Sequence, residues 1–183
     1  MPGWRELAAV ASDPKLSPLR RREAEKLLRV RLPGLALGER VALARIASRD
    51  LILILGEDGE AAVLRALAGN PRLTEADLTR ILARPALAPA VLAWLADESA
   101  WSQRGPVRAA LVRHARTPPA SALRLIASFT TPELLELASD DGAPRLVRVA
   151  AARRLDVDTP SDASLQSPAD RRHPESRGLS TSR

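Results

Sequence analysis

The feature that most constrains this chain is an internal repeat of about 44 residues. Val63 and Val107 are 44 residues apart, and each is followed three residues later by an alanine. Val41 and Val147 begin the same pattern. Residues at i and i+3 lie on one face of a helix, and an alanine on that face lets a neighbouring helix approach closely. The spacing therefore predicts one equivalent helix in each copy.

Two further segments of each copy match as well. NPRLTEADLTRILA at 70–83 aligns with HARTPPASALRLIA at 114–127, again 44 residues apart. Within the first of these segments Thr74 is a predicted helix N-cap. APAVLAWLADE at 88–98 aligns with TPELLELASDD at 131–141, at a spacing of 43 residues. Each complete unit is therefore predicted to contain three helices.

A period of this length is typical of helical repeats, and it predicts an all-α fold. We expect an N-terminal helical cap at 1–37, a repeat domain at 38–155 and a disordered tail at 156–183, where Ser, Pro, Asp and Arg replace the periodic apolar residues. The run LILIL at 51–55 has the composition of a strand, but the repeat places a helix there. We interpret it as a short helix.

Each unit combines three motifs: V-x-x-A, then N-P-R-x-T or H-A-R-T-P, then a proline-headed helix that ends L-A-D. Together these motifs resemble the leucine-rich repeat variant family. They are similar, more loosely, to HEAT and armadillo repeats. The resemblance covers residues 37–155 and implies a right-handed α-solenoid whose extended surface binds a partner. Founding members of the variant family carry a cysteine cluster for an iron–sulfur centre, and this sequence has no cysteine. The catalytic Asp and aromatic set of HEAT-like DNA glycosylases cannot be placed on it either.

Composition narrows the classes of function. The absence of cysteine excludes disulfides, thiolate catalysis and cysteine-ligated metals. Two histidines, with no acidic cluster at metal spacing, predict no metal site and no cofactor. Because the sequence has no nucleophile motif and no glycine-rich phosphate loop, we expect neither an enzyme nor a small-molecule substrate. It also shows neither a signal-peptide pattern nor an apolar run of roughly 20 residues, so we expect a soluble cytoplasmic protein without a membrane partner.

Positive charge is concentrated towards the C-terminus. The net charge is +6, and residues 101–155 carry nine arginines against four carboxylates, whereas 32–100 carry seven basic and nine acidic residues. Arg108 and Arg148 share one repeat column, and so do Arg113 and Arg153, which predicts a ladder of arginines on one surface. Two interpretations are open. The ladder binds an acidic partner, or it is a solvated face neutralised by neighbouring carboxylates.

Two other positions stand out in the loops. Trp101 lies in the connection ESAWSQRGP between units, where it either anchors the loop to the core or presents its ring to a ligand beside Arg104. His114 occupies the turn column that also holds Asn70 and Ser48. A column of polar residues predicts a turn or cap role for the imidazole and argues against a catalytic base.

The leading functional hypothesis is a non-catalytic protein-interaction or scaffolding module whose partner is another protein, with an acidic protein as one option. The alternative is nucleic-acid binding through the arginine-rich face of the C-terminal repeats. The candidate partner-binding residues are the same for both: Arg104, Arg108, Arg113, Arg148, Arg153 and Trp101.

Overall fold

The computed structural model describes residues 2–158, and every regular element in that range is helical. The predicted all-α class is confirmed. The α-helices are α1 (Trp4–Ser12), α2 (Pro18–Arg31), α3 (Leu37–Ile46), α4 (Arg49–Leu55), α5 (Ala61–Ala68), α6 (Glu75–Leu82), α7 (Pro89–Asp97), α8 (Ser99–Ser102), α9 (Gly105–Arg113), α10 (Pro119–Ile126), α11 (Thr131–Ser139) and α12 (Arg145–Asp158). The predicted tail lies outside the described residues from 159 onwards.

Local sequence signals explain where these helices begin and end. Ser17 caps α2 by accepting a hydrogen bond from the Arg20 amide, and Pro18 occupies the first helical position. Thr74 caps α6, and the Asp77 carboxylate reaches back to the Thr74 amide to complete a capping box. A short 3₁₀ turn, Leu32–Gly34, follows α2 where the sequence contains proline. The cap at Thr74 is confirmed.

The LILIL run is helical, as the repeat predicts. It forms most of α4, in which Leu51, Ile52 and Leu55 are buried. Gly56 follows directly, and a Cβ built there would lie 2.6 Å from Cγ1 of Ile81 in α6. Any larger residue would therefore require the Ile81 side chain, or the helices that carry the two residues, to shift.

Two details differ from the sequence prediction. The loop between the complete units contains a further single-turn helix, α8, for which the repeat has no counterpart. The last helix of the described residues, α12, continues to Asp158, three residues past the expected end of the repeat domain at 155. The helix extends because Asp156 and Val157 are compatible with helix and no proline occurs before Pro160.

One hydrophobic core runs through the described chain, from Leu7 in α1 to Ala151 in α12. It is built mainly from leucine, valine, isoleucine and alanine, as the low aromatic content of 2% requires. The most extensive helix contacts join α1 with α2, α11 with α12, α3 with α5, and α6 with α9, all of which are close in chain order. The contacts are thus mostly between neighbouring units.

A column of buried polar side chains joins the units. The Asn70 Nδ2 atom donates to the carbonyls of Ala44 (2.8 Å) and Ala47 (3.1 Å) in the preceding unit, and its Oδ1 accepts from the Arg72 amide. At the equivalent position the His114 Nε2 atom contacts a carbonyl of the preceding unit, that of Arg84, at 2.9 Å. Asn70 and His114 therefore both act as polar turn residues.

Candidate binding surfaces

Arg108 of α9 is held inside the fold. Its side chain is 14% exposed, its Nη2 atom lies 2.8 Å from Glu133 Oε1, and its guanidinium stands 5.0 Å from the centre of the Phe129 ring. Glu133 is the third residue of α11 and caps that helix at Thr130. The main role of Arg108 is therefore to join α9 to α11, and little of it faces a partner.

Arg113 and Arg148 flank the loop after α11. The Arg113 Nε atom lies 2.7 Å from Asp140 Oδ2, and its Nη2 lies 2.7 Å from Glu136 Oε1. The Arg148 Nη1 atom lies 2.7 Å from Asp141 Oδ1. Two adjacent carboxylates of one loop thus pair with arginines of different helices. For these two arginines and Arg108, the structure favours the interpretation of a face neutralised by carboxylates.

The carboxylates in these pairs are held in the ionised form. The Thr130 amide, which donates to Glu133, holds the pKa of that carboxyl below its ordinary value; burial opposes this, and the Thr130 hydroxyl and Arg108 add to it. The hydrogen bond from Arg113 lowers the pKa of Asp140 against a smaller opposing effect of burial. Hydrogen bonds to an ionised carboxylate stabilise its charged form.

These shifts predict that acid weakens the fold. A carboxyl whose pKa is lower in the folded chain contributes stability above its unfolded pKa, roughly pH 4, and loses that contribution as the pH falls further. Arg113→Gln is expected to lower the free energy of unfolding by up to about 1 kcal/mol at pH 7. Urea denaturation should show this difference shrinking at pH 2.5. Arg153→Gln is the matched control, and an equal effect of both variants at pH 7 would contradict the pairing.

Trp101 is an anchor. Its side chain is 6% exposed, and its indole N–H donates to the carbonyl of Ala68 at 2.9 Å. The guanidinium of Arg104 stacks 4.3 Å from the ring centre, and Arg104 Nε donates to the Ala100 carbonyl. The ring of Trp101 is therefore covered. We correct its assignment as a partner-binding residue, while Arg104 remains exposed on the surface.

Arg153 differs from its column partner Arg113. It is exposed on α12, and within residues 2–158 it forms no ion pair. Leu146, Val149 and Val157 share its helical face, at i, i+3 and i+11, and are 47%, 41% and 77% exposed. The opposite face of α12 packs on α10 and α11. The outer face of α12, defined by these four residues, thus presents three exposed apolar side chains and one cation, with the exposed carboxylate of Asp156 at its edge, one heptad after Val149.

A second candidate binding surface was not predicted from the sequence. The turn between α1 and α2, the inner side of α2, the start of α4 and the loop at 70–72 surround a cleft of about 450 Å³. Four arginines and two carboxylates are among the residues that line it: Arg21, Arg22, Arg49, Arg72, Glu25 and Asp50. These residues come from three separate segments that the repeat does not align, so only the packing of α2 against α4 brings them together.

Comparison with protein-family models, curated proteins and solved structures found no match to this chain. The resemblance to leucine-rich repeat variant and HEAT proteins therefore stays a prediction. Within residues 2–158, no group of three or more His, Asp or Glu side chains is placed to hold a metal ion. None of the helices described has both the length and the apolar character needed to cross a membrane.

Proposed function

We propose that this chain is a non-catalytic module of stacked helical repeats, of the solenoid type, that binds another protein through the outer face of α12. Two features support stacked repeats. The principal contacts join helices close in chain order. Asn70 and His114, one repeat apart, each reach back to a backbone carbonyl of the preceding unit. Units that contact mainly their neighbours form extended arrays with long binding surfaces.

The main evidence for a docking surface is the outer face of α12. The terminal unit of a repeat array normally presents a polar outer side to water. Here Leu146, Val149 and Val157 are exposed on one side of the last helix. Exposed apolar patches of this kind mark interaction sites.

The partner that fits this surface is an amphipathic helix of another protein with a carboxylate near the centre of its apolar stripe. The apolar side chains of such a helix would meet Leu146, Val149 and Val157 in the helix-in-groove manner, and its carboxylate would pair with Arg153. Residues 159–183 of this chain contain only Leu165 and Leu179 as large apolar residues. They offer no comparable stripe, which favours a separate protein as the occupant.

The charge geometry favours a protein over nucleic acid. Arg108, Arg113 and Arg148 already pair with carboxylates of their own chain. A phosphate backbone would have to displace those carboxylates or meet them, and either costs binding free energy. We therefore place nucleic-acid binding second.

The test is capture with the full chain as bait from nuclease-treated lysate of the source cells. We expect a protein whose captured amount falls at least about fivefold with the double variant Leu146→Ser, Val149→Ser, because it loses the apolar contacts. The same protein should be lost with Arg153→Glu, since the cation that pairs with its carboxylate is reversed.

The matched control is Leu19→Ser with Val30→Ser, which removes two exposed apolar residues from α2. This control should capture the same amount as the unmodified chain. Equal loss in both double variants, or capture that disappears with nuclease treatment, would contradict the proposal. Sedimentation of the purified chain at rising concentration tests for self-association. If the chain self-associates and Leu146→Ser with Val149→Ser abolishes this, the occupant of the α12 surface is a second copy of the chain.

A further inference from the structure

We propose that the cleft between α2 and α4 binds a phosphate monoester, independently of the surface on α12. The cleft has a volume of about 450 Å³, within the range of small-ligand sites. It is lined by polar and charged side chains from four segments of the chain. Its charge, its unpaired polar atoms and its fixed walls all favour this ligand.

The charge in the cleft exceeds what its own carboxylates neutralise. Four guanidinium groups face two carboxylates, those of Glu25 and Asp50. Among the described residues, the only ion pair of any of these six groups joins Arg49 to Asp77, at a distance of 4.0 Å. Asp77 offsets part of the charge of Arg49, and the positive charge that remains suits an anionic phosphate monoester. Arginine also binds phosphate oxygens in a bidentate manner, which makes it suited to this group.

Ser48 supplies a second, independent observation. It shares its repeat column with Asn70 and His114, whose side chains each bond to a carbonyl of the preceding unit. Ser48 is only 9% exposed, lines the cleft, and its Oγ atom has no hydrogen-bond partner. The Nε atom of Arg21 is also buried without a partner. Both atoms are closed off from solvent, so a ligand would reach them only after the arginine side chains of the cleft move. Because buried polar atoms without partners are costly, pairing with them would then be favoured.

The wall that carries Ser48 is held in place by hydrogen bonds. The carbonyl of Ile46 accepts from Ser12 Oγ at 3.2 Å and from Arg72 Nη1 at 3.4 Å. The carbonyl of Ala47 accepts from the Asn70 side chain at 3.1 Å. The backbone around the cleft is therefore set before a ligand arrives, and only arginine side chains need to move. Such preorganisation lowers the cost of binding.

Two sources supply this chemistry: a small phosphorylated molecule, or a phosphorylated side chain of a protein. The experiment is a titration of the ¹⁵N-labelled full chain at constant ionic strength, followed by amide chemical shifts. The probes are inorganic phosphate, phenyl phosphate, and one peptide with and without phosphoserine. We expect saturable shifts at the amides of Ser48, Arg49, Asn70 and Arg72 with phosphate-bearing probes and none with the unphosphorylated peptide.

The decisive variant is Arg49→Gln with Arg72→Gln. The Arg49 side chain is 68% exposed, whereas Arg72 also donates to the Ile46 carbonyl, so circular dichroism and urea denaturation check that the double variant keeps the fold. We expect the dissociation constant to rise roughly tenfold or more with each phosphate-bearing probe, because two charge-assisted hydrogen-bond donors are lost. Arg104→Gln with Arg153→Gln removes the same charge elsewhere and should bind as the unmodified chain does.

Three results would overturn the proposal: shifts that do not saturate with any phosphate-bearing probe, affinity unchanged by the Arg49/Arg72 variant, or equal weakening in the control. Tighter binding of the phosphopeptide than of phenyl phosphate identifies a protein as the source, and the reverse order identifies a small molecule. Because the Arg49/Arg72 variant leaves α12 untouched, failure here is distinguishable from failure of the docking surface.

Discussion

Replacing Trp101 with alanine is expected to lower the free energy of unfolding by about 3–5 kcal/mol. The ring is buried and is one of few aromatic side chains in a core of aliphatic residues. Its loss leaves a cavity between α8 and the rest of the fold and also leaves the Ala68 carbonyl without its donor. Urea denaturation followed by circular dichroism measures the change.

A conservative variant separates the two contributions of Trp101. Trp101→Phe keeps most of the packing but removes the indole N–H, so we expect a loss of about 1–2 kcal/mol. Trp94→Ala serves as the comparison because Trp94 is only partly buried and should cost less than Trp101→Ala. A loss below about 1 kcal/mol for Trp101→Ala would show that the loop is not anchored by this ring.

Replacing Asn70 with alanine is expected to lower the free energy of unfolding by about 2–4 kcal/mol. The variant leaves the Ala44 and Ala47 carbonyls and the Arg72 amide without the side-chain atoms that now pair with them. An unpaired buried polar group costs about 1–3 kcal/mol. Urea denaturation of the variant at pH 7 provides the measurement.

The matched control for Asn70 is Ser48→Ala, in the same repeat column. The Ser48 Oγ atom has no hydrogen-bond partner. In the absence of a ligand, its removal should therefore leave the free energy of unfolding unchanged or raise it, because no hydrogen bond is lost and an unpaired buried polar atom is removed. Similar losses for the two variants would mean that the column stabilises the fold through packing and not through hydrogen bonds between units.

The outcome at particular positions shows where sequence reasoning reaches its limit. The LILIL run at 51–55 has strand composition, yet its place in the repeat correctly predicted the helix α4. The sequence leaves two interpretations of Trp101 open, because the single-turn helix that contains it has no counterpart in the other unit. The repeat contains no information about an insertion that occurs once.

The arginine ladder shows a second limit of prediction from the repeat, which concerns the neighbours of each side chain. A shared column correctly indicates that two residues occupy equivalent places on their helices, but it does not say what approaches from the next helix. Arg113 meets Asp140, whereas Arg153 in the same column meets no carboxylate among the described residues. Equivalent positions in the repeat therefore have different charged neighbours.

By itself, the sequence determined the helical class, the helix at 51–55 and the cap at Thr74, because these follow from periodicity and capping over a few residues. Only the tertiary structure decided which arginines are neutralised, that the ring of Trp101 is buried, and that four arginines line one cleft beside Ser48. Those features depend on side chains from segments that are distant in the chain. Their meeting is set by how the helices pack, and the periodicity of a single helix does not encode it.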